Sequence, residues 1–278
     1  ARILETARKT PRLTEIHIVS ALHPDRPFSY YENVVRQVRA ALPDADIKAF
    51  TPVEIVNFAK NAGRSVREIL TALQAAGLSS LPGGGAEILS DRVREIICPN
   101  KATRAEWIDC MRIAHTLGIR TNASMMYGHI ETVEERVDHL IALRDLQDET
   151  GGFQAFMLFP FHPENTALGA ERKLRRVGSW EDMKMLALSR LVLDNVAHFK
   201  AFWVMLTQPI AQLALGFGAD DLDGTIGEEK IIHAAGAQTQ TGITRRELDA
   251  MIREAGYEPV ERDTFYRPIA AAEEVGQA

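Results

Sequence analysis

The sequence predicts an α/β fold, a parallel (β/α) barrel of the TIM type, and three observations carry the prediction. Strand-like and helix-like runs alternate along the chain, capping boxes mark helix starts, and helices end at a glycine followed by an apolar residue that leads toward the next strand. With 278 residues, 46% hydrophobic and 25% charged, the chain is long enough for a barrel core and too apolar to be disordered. No Gly-x-Gly-x-x-Gly follows the first strand, which disfavours a doubly wound sheet.

Strands are expected at Glu15–Val19, Asp46–Phe50, Leu78–Leu81, Thr121–Met126, Ala155–Phe159 and Lys200–Val204. Helix starts are expected where Ser or Thr precedes Glu by three, at Ser65/Glu68, Thr103/Glu106, Thr132/Glu135 and Thr244/Glu247. The helix after Thr103 puts Trp107, Ile108, Met111, Ala114 and Leu117 on one face and stops at Gly118. The same stop recurs at Gly77 and Gly256. His115 and His139 fall inside helices and read as structural. Residues 1–217 form the barrel core and 218–278 a C-terminal extension packed on it, with no linker between them.

Composition excludes several function classes. Lys plus Arg is 32 against Asp plus Glu at 38, a net charge of −6, so no nucleic-acid partner is expected. The longest apolar run, Ala201 to Leu206, is far short of the roughly 18 residues of a membrane helix, so no membrane partner is expected. Cys98 and Cys110 are the only cysteines, too few for a disulfide framework or a four-thiolate metal site, and a cytoplasmic location is the default. The chain starts at Ala1 without a signal peptide and reads as a fragment.

In such a barrel the chemistry sits on loops after the strands. Those loops carry Leu22-His23-Pro24-Asp25, Thr51-Pro52-Val53-Glu54, the triple glycine Gly83-Gly84-Gly85 with Glu87, Gly128-His129-Ile130-Glu131, and His162-Pro163-Glu164-Asn165-Thr166. Consecutive glycines let backbone approach a ligand, and Glu87 can accept from an ammonium group or ribose hydroxyls. A metal-hydrolase reading of His129 and His162 lacks a third ligand; substrate-carboxylate binding or a loop carbonyl contact suits them better. Asp220, Asp221 and Asp223 lack a calcium-loop pattern and read as a solvated or helix-capping turn rather than a cation site. Trp107 reads as core, and Trp203 as core or pocket wall.

Read in order, these segments resemble the menaquinone-pathway radical S-adenosylmethionine enzymes. The resemblance runs from Ile16-His17-Ile18-Val19 through Leu81 to Ile88, Met125 to Thr132, Leu146 to Phe153, Phe161 to Thr166, Leu193-Asp194-Asn195, Gly218 to Thr225 and Glu261-Arg262-Asp263, nearly the whole chain. Phe161 to Thr166 and Asp220 to Thr225 resemble the aminofutalosine synthases of that group more than the dehypoxanthine futalosine cyclases.

The resemblance implies a radical-SAM-type (β/α) barrel and two cofactors, a [4Fe–4S] cluster and S-adenosylmethionine. It implies a reaction in which a 5′-deoxyadenosyl radical adds to 3-[(1-carboxyvinyl)oxy]benzoate, with decarboxylation to aminofutalosine. The expected partners are this small-molecule substrate and an electron donor such as flavodoxin or ferredoxin. By position, Ser20, Gly84, Gly85, Glu87, Gly128 and Glu131 are the cofactor-binding residues. His23, Thr51, Asn165 and Thr166 are the substrate-binding ones, and His129, His162 and Glu164 the catalytic ones.

Two departures stand out. The Cys-x-x-x-Cys-x-x-Cys loop is absent, so no metal ligand is assigned within the chain. The ligands, like the barrel's first strand, are expected upstream of residue 1, with Ala1 inside the first crossover helix and the chain by itself inactive. The Gly-Gly pair expected after the first visible strand is Ser20-Ala21. The cyclase reaction, and a non-catalytic adenosyl-binding barrel, stay open as alternatives.

Overall fold

The computed structural model describes residues 13–225, 231–236, 239 and 242–269. Six strands form one sheet in sequential order, every neighbouring pair parallel: β1 (Glu15–Ile18), β2 (Asp46–Ala49), β3 (Ser80–Leu81), β4 (Arg120–Tyr127), β5 (Phe153–Pro160) and β6 (His198–Lys200). Sequential parallel order with helices between strands is the right-handed winding of a TIM-like barrel. Among the described residues the outer edge of β1 pairs with no strand.

The crossovers are α1 (Phe28–Ala41), α2 (Pro52–Ala62) with α3 (Val66–Ala76), α4 (Asp91–Ile97) with α5 (Arg104–Thr116), α6 (Val133–Thr150), and α7 (Ala167–Arg172) with α8 (Ser179–Val192). After β6 come α9 (Trp203–Leu206), α10 (Gln208–Ala214), α11 (Ile231–Ala235) and α12 (Arg245–Glu254). All four expected capping boxes form, and a fifth, Thr51 with Glu54, starts α2 behind Pro52. Each satisfies backbone donors that a helix start leaves unpaired.

The two faces of the sheet differ in chemistry. Outward residues such as Ile16, Ile47, Ala123, Met125, Phe156 and Phe199 pack under the helices with Trp107, which is fully buried. The inward face is mixed, with Met126, Met157 and Phe159 beside a polar group in which Lys48 lies 2.7 Å from Glu15 and Gln154 donates to Asn122 at 3.3 Å. Residues 261–269 also reach this interior. Thr264 hydrogen-bonds Glu15, the Thr264 carbonyl accepts from Gln154 at 2.9 Å, and Arg262 pairs with Asp221 at 2.5 Å.

Two expectations are corrected here. The sixth strand is not Lys200–Val204 but His198–Lys200, and the apolar run after it forms α9. The chain turns at Ala201, whose N–H donates to the Asp221 carbonyl, while the Trp203 indole is anchored on the Gly224 carbonyl at 3.1 Å. A short buried apolar run has no periodicity that separates strand from helix. Of the aspartates after Gly218, Asp220 is exposed as expected, but Asp221 and Asp223 are not a solvated or capping turn. Asp223 pairs with Lys200, Asp221 accepts from Tyr266 at 2.8 Å as well as Arg262, and Asp220 lies 2.7 Å from His198. Lys200 and Arg262 thus occupy Asp221 and Asp223, which leaves no oxygen cage for a metal ion.

Candidate active site at the strand ends

The ends of β1 and β2 are tied together by one buried carboxylate. One Glu54 oxygen accepts from the Ser20 N–H at 2.8 Å and its hydroxyl at 2.7 Å, while the other accepts from the Thr51 N–H at 2.7 Å and its hydroxyl at 2.9 Å. Phe50, just before Thr51, takes a left-handed φ of 61°, rare for a bulky side chain. Tyr31 and Phe58 hold it with ring centroids at 5.7 and 5.2 Å, so packing fixes the kink that aims Thr51 at Glu54.

The triple glycine follows β3. A Cβ on Gly83 would stand 2.7 Å from the Ala123 backbone, and one on Gly85, at φ 78°, would stand 2.5 Å from Val53. Only glycine fits this approach. Ser124 donates to the Gly83 carbonyl at 2.7 Å, Trp107 to that of Gly84 at 3.3 Å, and Arg94 to those of Gly85, Ala86 and Ala102. The loop is therefore rigid, with Gly84 facing the Thr51 methyl group. Glu87 follows at φ 47°, its carboxylate 2.6 Å from Lys101.

After β4, Gly128, His129 and Glu131 close a turn. Glu131 accepts from the N–H groups of Gly128 at 2.6 Å and His129 at 2.9 Å, and it also meets Arg136 at 2.8 Å and the His129 ring at 2.9 Å. Burial alone would push this carboxyl up, but hydrogen bonding and charge from His129, with the backbone donors, hold it at about 2. The side chains of His129 and Glu131 have no exposed surface, so the turn itself uses both.

After β5, the His162 ring lies 3.1 Å from the Met205 carbonyl, and burial lowers its basicity. Because a carbonyl only accepts, Nε2 carries a hydrogen here. Arg176 joins this corner, reaching Asp182 at 3.2 Å and the Met205 carbonyl at 3.4 Å. Glu164 is exposed, Asn165 donates to the Ala234 carbonyl at 3.2 Å, and Thr166 caps α7 by accepting from Gly169 at 3.0 Å. His23 is exposed, and its Nδ1 accepts from the Asp25 N–H at 3.1 Å.

The structure thus brings Ser20, Thr51, Gly84 and Gly85 to one rim, with Gly128, His129 and Glu131 in a neighbouring turn. Thr166 is engaged locally, and Asn165 is tied to α11. Sequence reasoning placed Glu54 on a strand-end loop without giving it a role, and did not single out Arg94 or Arg136. For Glu54 the signal was present, since Thr51-Pro52-x-Glu54 is itself a capping box with proline at the first helical position. Nothing local marks Arg94.

The residues fit the two cofactors implied by the resemblance unequally. The glycine approach and small strand-end residues suit a nucleoside-sized ligand bearing an amino acid. The cluster has no ligand set here: Cys110 is fully buried in α5, Cys98 is buried at the end of α4, and burial raises both thiols. Among the described residues no group of three His, Cys, Asp or Glu could hold a metal ion. No described helix is long and apolar enough to cross a membrane.

Residues 1–143 match the family model of the radical SAM superfamily, and residues 150–275 match that of the CofH/MqnC C-terminal region. The chain is 48% identical to an aminodeoxyfutalosine synthase of Thermus thermophilus over 94% of its own length and 71% of that protein. It is 42% identical to a 5-amino-6-(D-ribitylamino)uracil–L-tyrosine 4-hydroxyphenyl transferase of Methanosarcina barkeri, over 96% of this chain and 73% of that one. Among solved structures, methylornithine synthase (PylB) superposes with a TM-score of 0.65 at 15% identity, covering 93% of this chain and 73% of that one, a likeness of fold.

Proposed function

This chain belongs to the radical SAM superfamily and to its enzymes, and from that premise we propose that it acts as an aminodeoxyfutalosine synthase. In this reading the 5′-deoxyadenosyl group of S-adenosylmethionine is joined to 3-[(1-carboxyvinyl)oxy]benzoate with loss of carbon dioxide, a step of menaquinone synthesis in the cytoplasm. The observation that carries it is the 48% identity to a protein of that name, spread over nearly the whole chain.

The superfamily implies a [4Fe–4S] cluster and an electron donor of the flavodoxin or ferredoxin kind, and this chain's two cysteines provide no ligand set for the cluster. What its residues do is position reactants. Ser20, Gly84 and Gly85 would floor the S-adenosylmethionine site, with Glu54 fixing the separation of Ser20 from Thr51. Glu87 would meet the ribose or amino group by exchanging Lys101 for ligand. Gly128, His129 and Glu131 would hold the wall beside the adenine as one preformed turn. On the substrate side stand His162, held by its Nε2 on the Met205 carbonyl, and Glu164, Asn165, Thr166, Thr51 and His23 around the rim. A rigid rim lowers the ordering cost of binding and keeps water from a reactive species.

The test is product analysis of the protein expressed from its own gene and reconstituted anaerobically with iron, sulfide and a reductant. Given S-adenosylmethionine and the enolpyruvyl ether, it should form aminodeoxyfutalosine, detected by mass. Turnover of dehypoxanthine futalosine, or of L-tyrosine with the ribitylaminouracil, in place of that product would refute the reading.

A further inference from the structure

A polar row crosses the barrel interior beneath the rim. His17, Lys48 and Ser80 are register partners across β1, β2 and β3, so their side chains share one face of the sheet. Ile16 and Ile18 pack on the helix side, which puts His17 on the interior side with Glu15. Lys48 and Ser80 are buried, and the Ser80 hydroxyl has no partner. His17 is exposed to the open interior and makes no hydrogen bond or ion pair with any described residue. It stands three residues before Ser20, about 10 Å along the strand beneath the rim.

The groups that act electrostatically on His17 are Glu15 on its own strand, Lys48 on β2, Lys200 on β6 and Asp223 beyond it. The two lysines are matched by their carboxylates, Glu15 for Lys48 and Asp223 for Lys200, so the interior carries balanced charge and one uncommitted imidazole. An uncommitted donor in a charge-balanced interior that a ligand can reach is a place for an anionic group of that ligand.

We propose that His17 is a substrate-binding residue, its imidazole donating a hydrogen bond to the carboxylate of an aromatic acid held beneath the rim. The choice of an aromatic acid rests on the proposed function; the existence of the anion subsite does not. Enclosure by the protein lowers the basicity of His17 although solvent reaches it, so the free protein holds it less readily charged than a free histidine. A bound carboxylate favours the charged ring and reverses that effect.

The experiment uses the 278-residue chain with two probes, 3-(carboxymethoxy)benzoate, an unreactive analogue of the enolpyruvyl ether, and L-tyrosine. Calorimetry gives the affinity for wild type, His17→Ala and His17→Gln, and the titration of the His17 ring is followed by NMR with and without probe. The dicarboxylate should bind wild type, weaken by about tenfold or more in His17→Ala and less in His17→Gln, and raise the titration midpoint of the wild-type ring. The ring measurement needs no variant, so a misfolded substitution does not blunt the test. Equal affinity of wild type and His17→Ala, an unmoved midpoint, or no binding of either probe overturns the inference. Binding of L-tyrosine alone, dependent on His17, supports the subsite and counts against the synthase reading.

Discussion

Replacing Glu54 by Gln tests how the rim is built. The carboxylate accepts four hydrogen bonds, two on each oxygen, from Ser20 and Thr51. Gln keeps the shape but turns one oxygen into a donor, which then faces a backbone N–H and a hydroxyl. The hydroxyl can rotate away and the N–H cannot, so one buried backbone donor loses its acceptor and the remaining bonds lose their charge assistance. An unsatisfied buried donor costs about 1–3 kcal/mol, and the lost charge adds about 1 kcal/mol, so the expected loss is about 3 kcal/mol. For a chain of this size that lowers Tm by roughly 6–12 °C. Thermal unfolding followed by circular dichroism reads it directly, with Glu95→Gln on the exposed face of α4 as a control for loss of charge. A Glu54→Gln melt that coincides with wild type would refute the claim that this carboxylate ties the strand ends.

Gly83→Ala puts a methyl group 2.7 Å from the Ala123 backbone, which cannot swing aside, and urea unfolding should show a loss of about 1–3 kcal/mol. Arg94→Met removes the donor shared by the Gly85, Ala86 and Ala102 carbonyls, and should cost about 3 kcal/mol by the same measurement. Glu131 is held at about 2 in the folded protein against 4.5 when free, so its stabilisation is complete above pH 4.5 and is lost as the pH falls toward 2. Melting temperatures at pH 5 and pH 3 should therefore fall further for wild type than for Glu131→Gln.

Much of the fold was legible because its signals are local. Ser65, Thr103, Thr132 and Thr244 each start a helix through a reciprocal hydrogen bond with a Glu three residues on, and that pattern depends on no tertiary contact. The structural roles of His115 and His139 were also legible. His115 bridges Thr150 at 2.6 Å and Thr121 at 2.8 Å, and His139 accepts from the Leu89 N–H at 3.0 Å. The sixth strand was misplaced because Ala201 to Leu206 is apolar at every position, and what ends the strand is the contact of Ala201 and Trp203 with a segment twenty residues on.

The strand-end positions were legible from barrel geometry, but their partners were not. Glu54 meets Ser20 across 34 positions, and Thr264 meets Glu15 across 249. The acidic run after Gly218 carries no mark in sequence that its cations are Lys200 and Arg262. Identity with known proteins supplied what spacing does not, the radical chemistry.

We propose Ser20, Gly84 and Gly85 as the floor of an S-adenosylmethionine site, and calorimetric titration of this chain with S-adenosylmethionine tests that most directly. The account predicts one molecule bound per chain, with binding lost in Gly84→Val, whose branched side chain would fill the space against Thr51. Absence of binding to wild type, or equal binding to Gly84→Val of unchanged Tm, would contradict it.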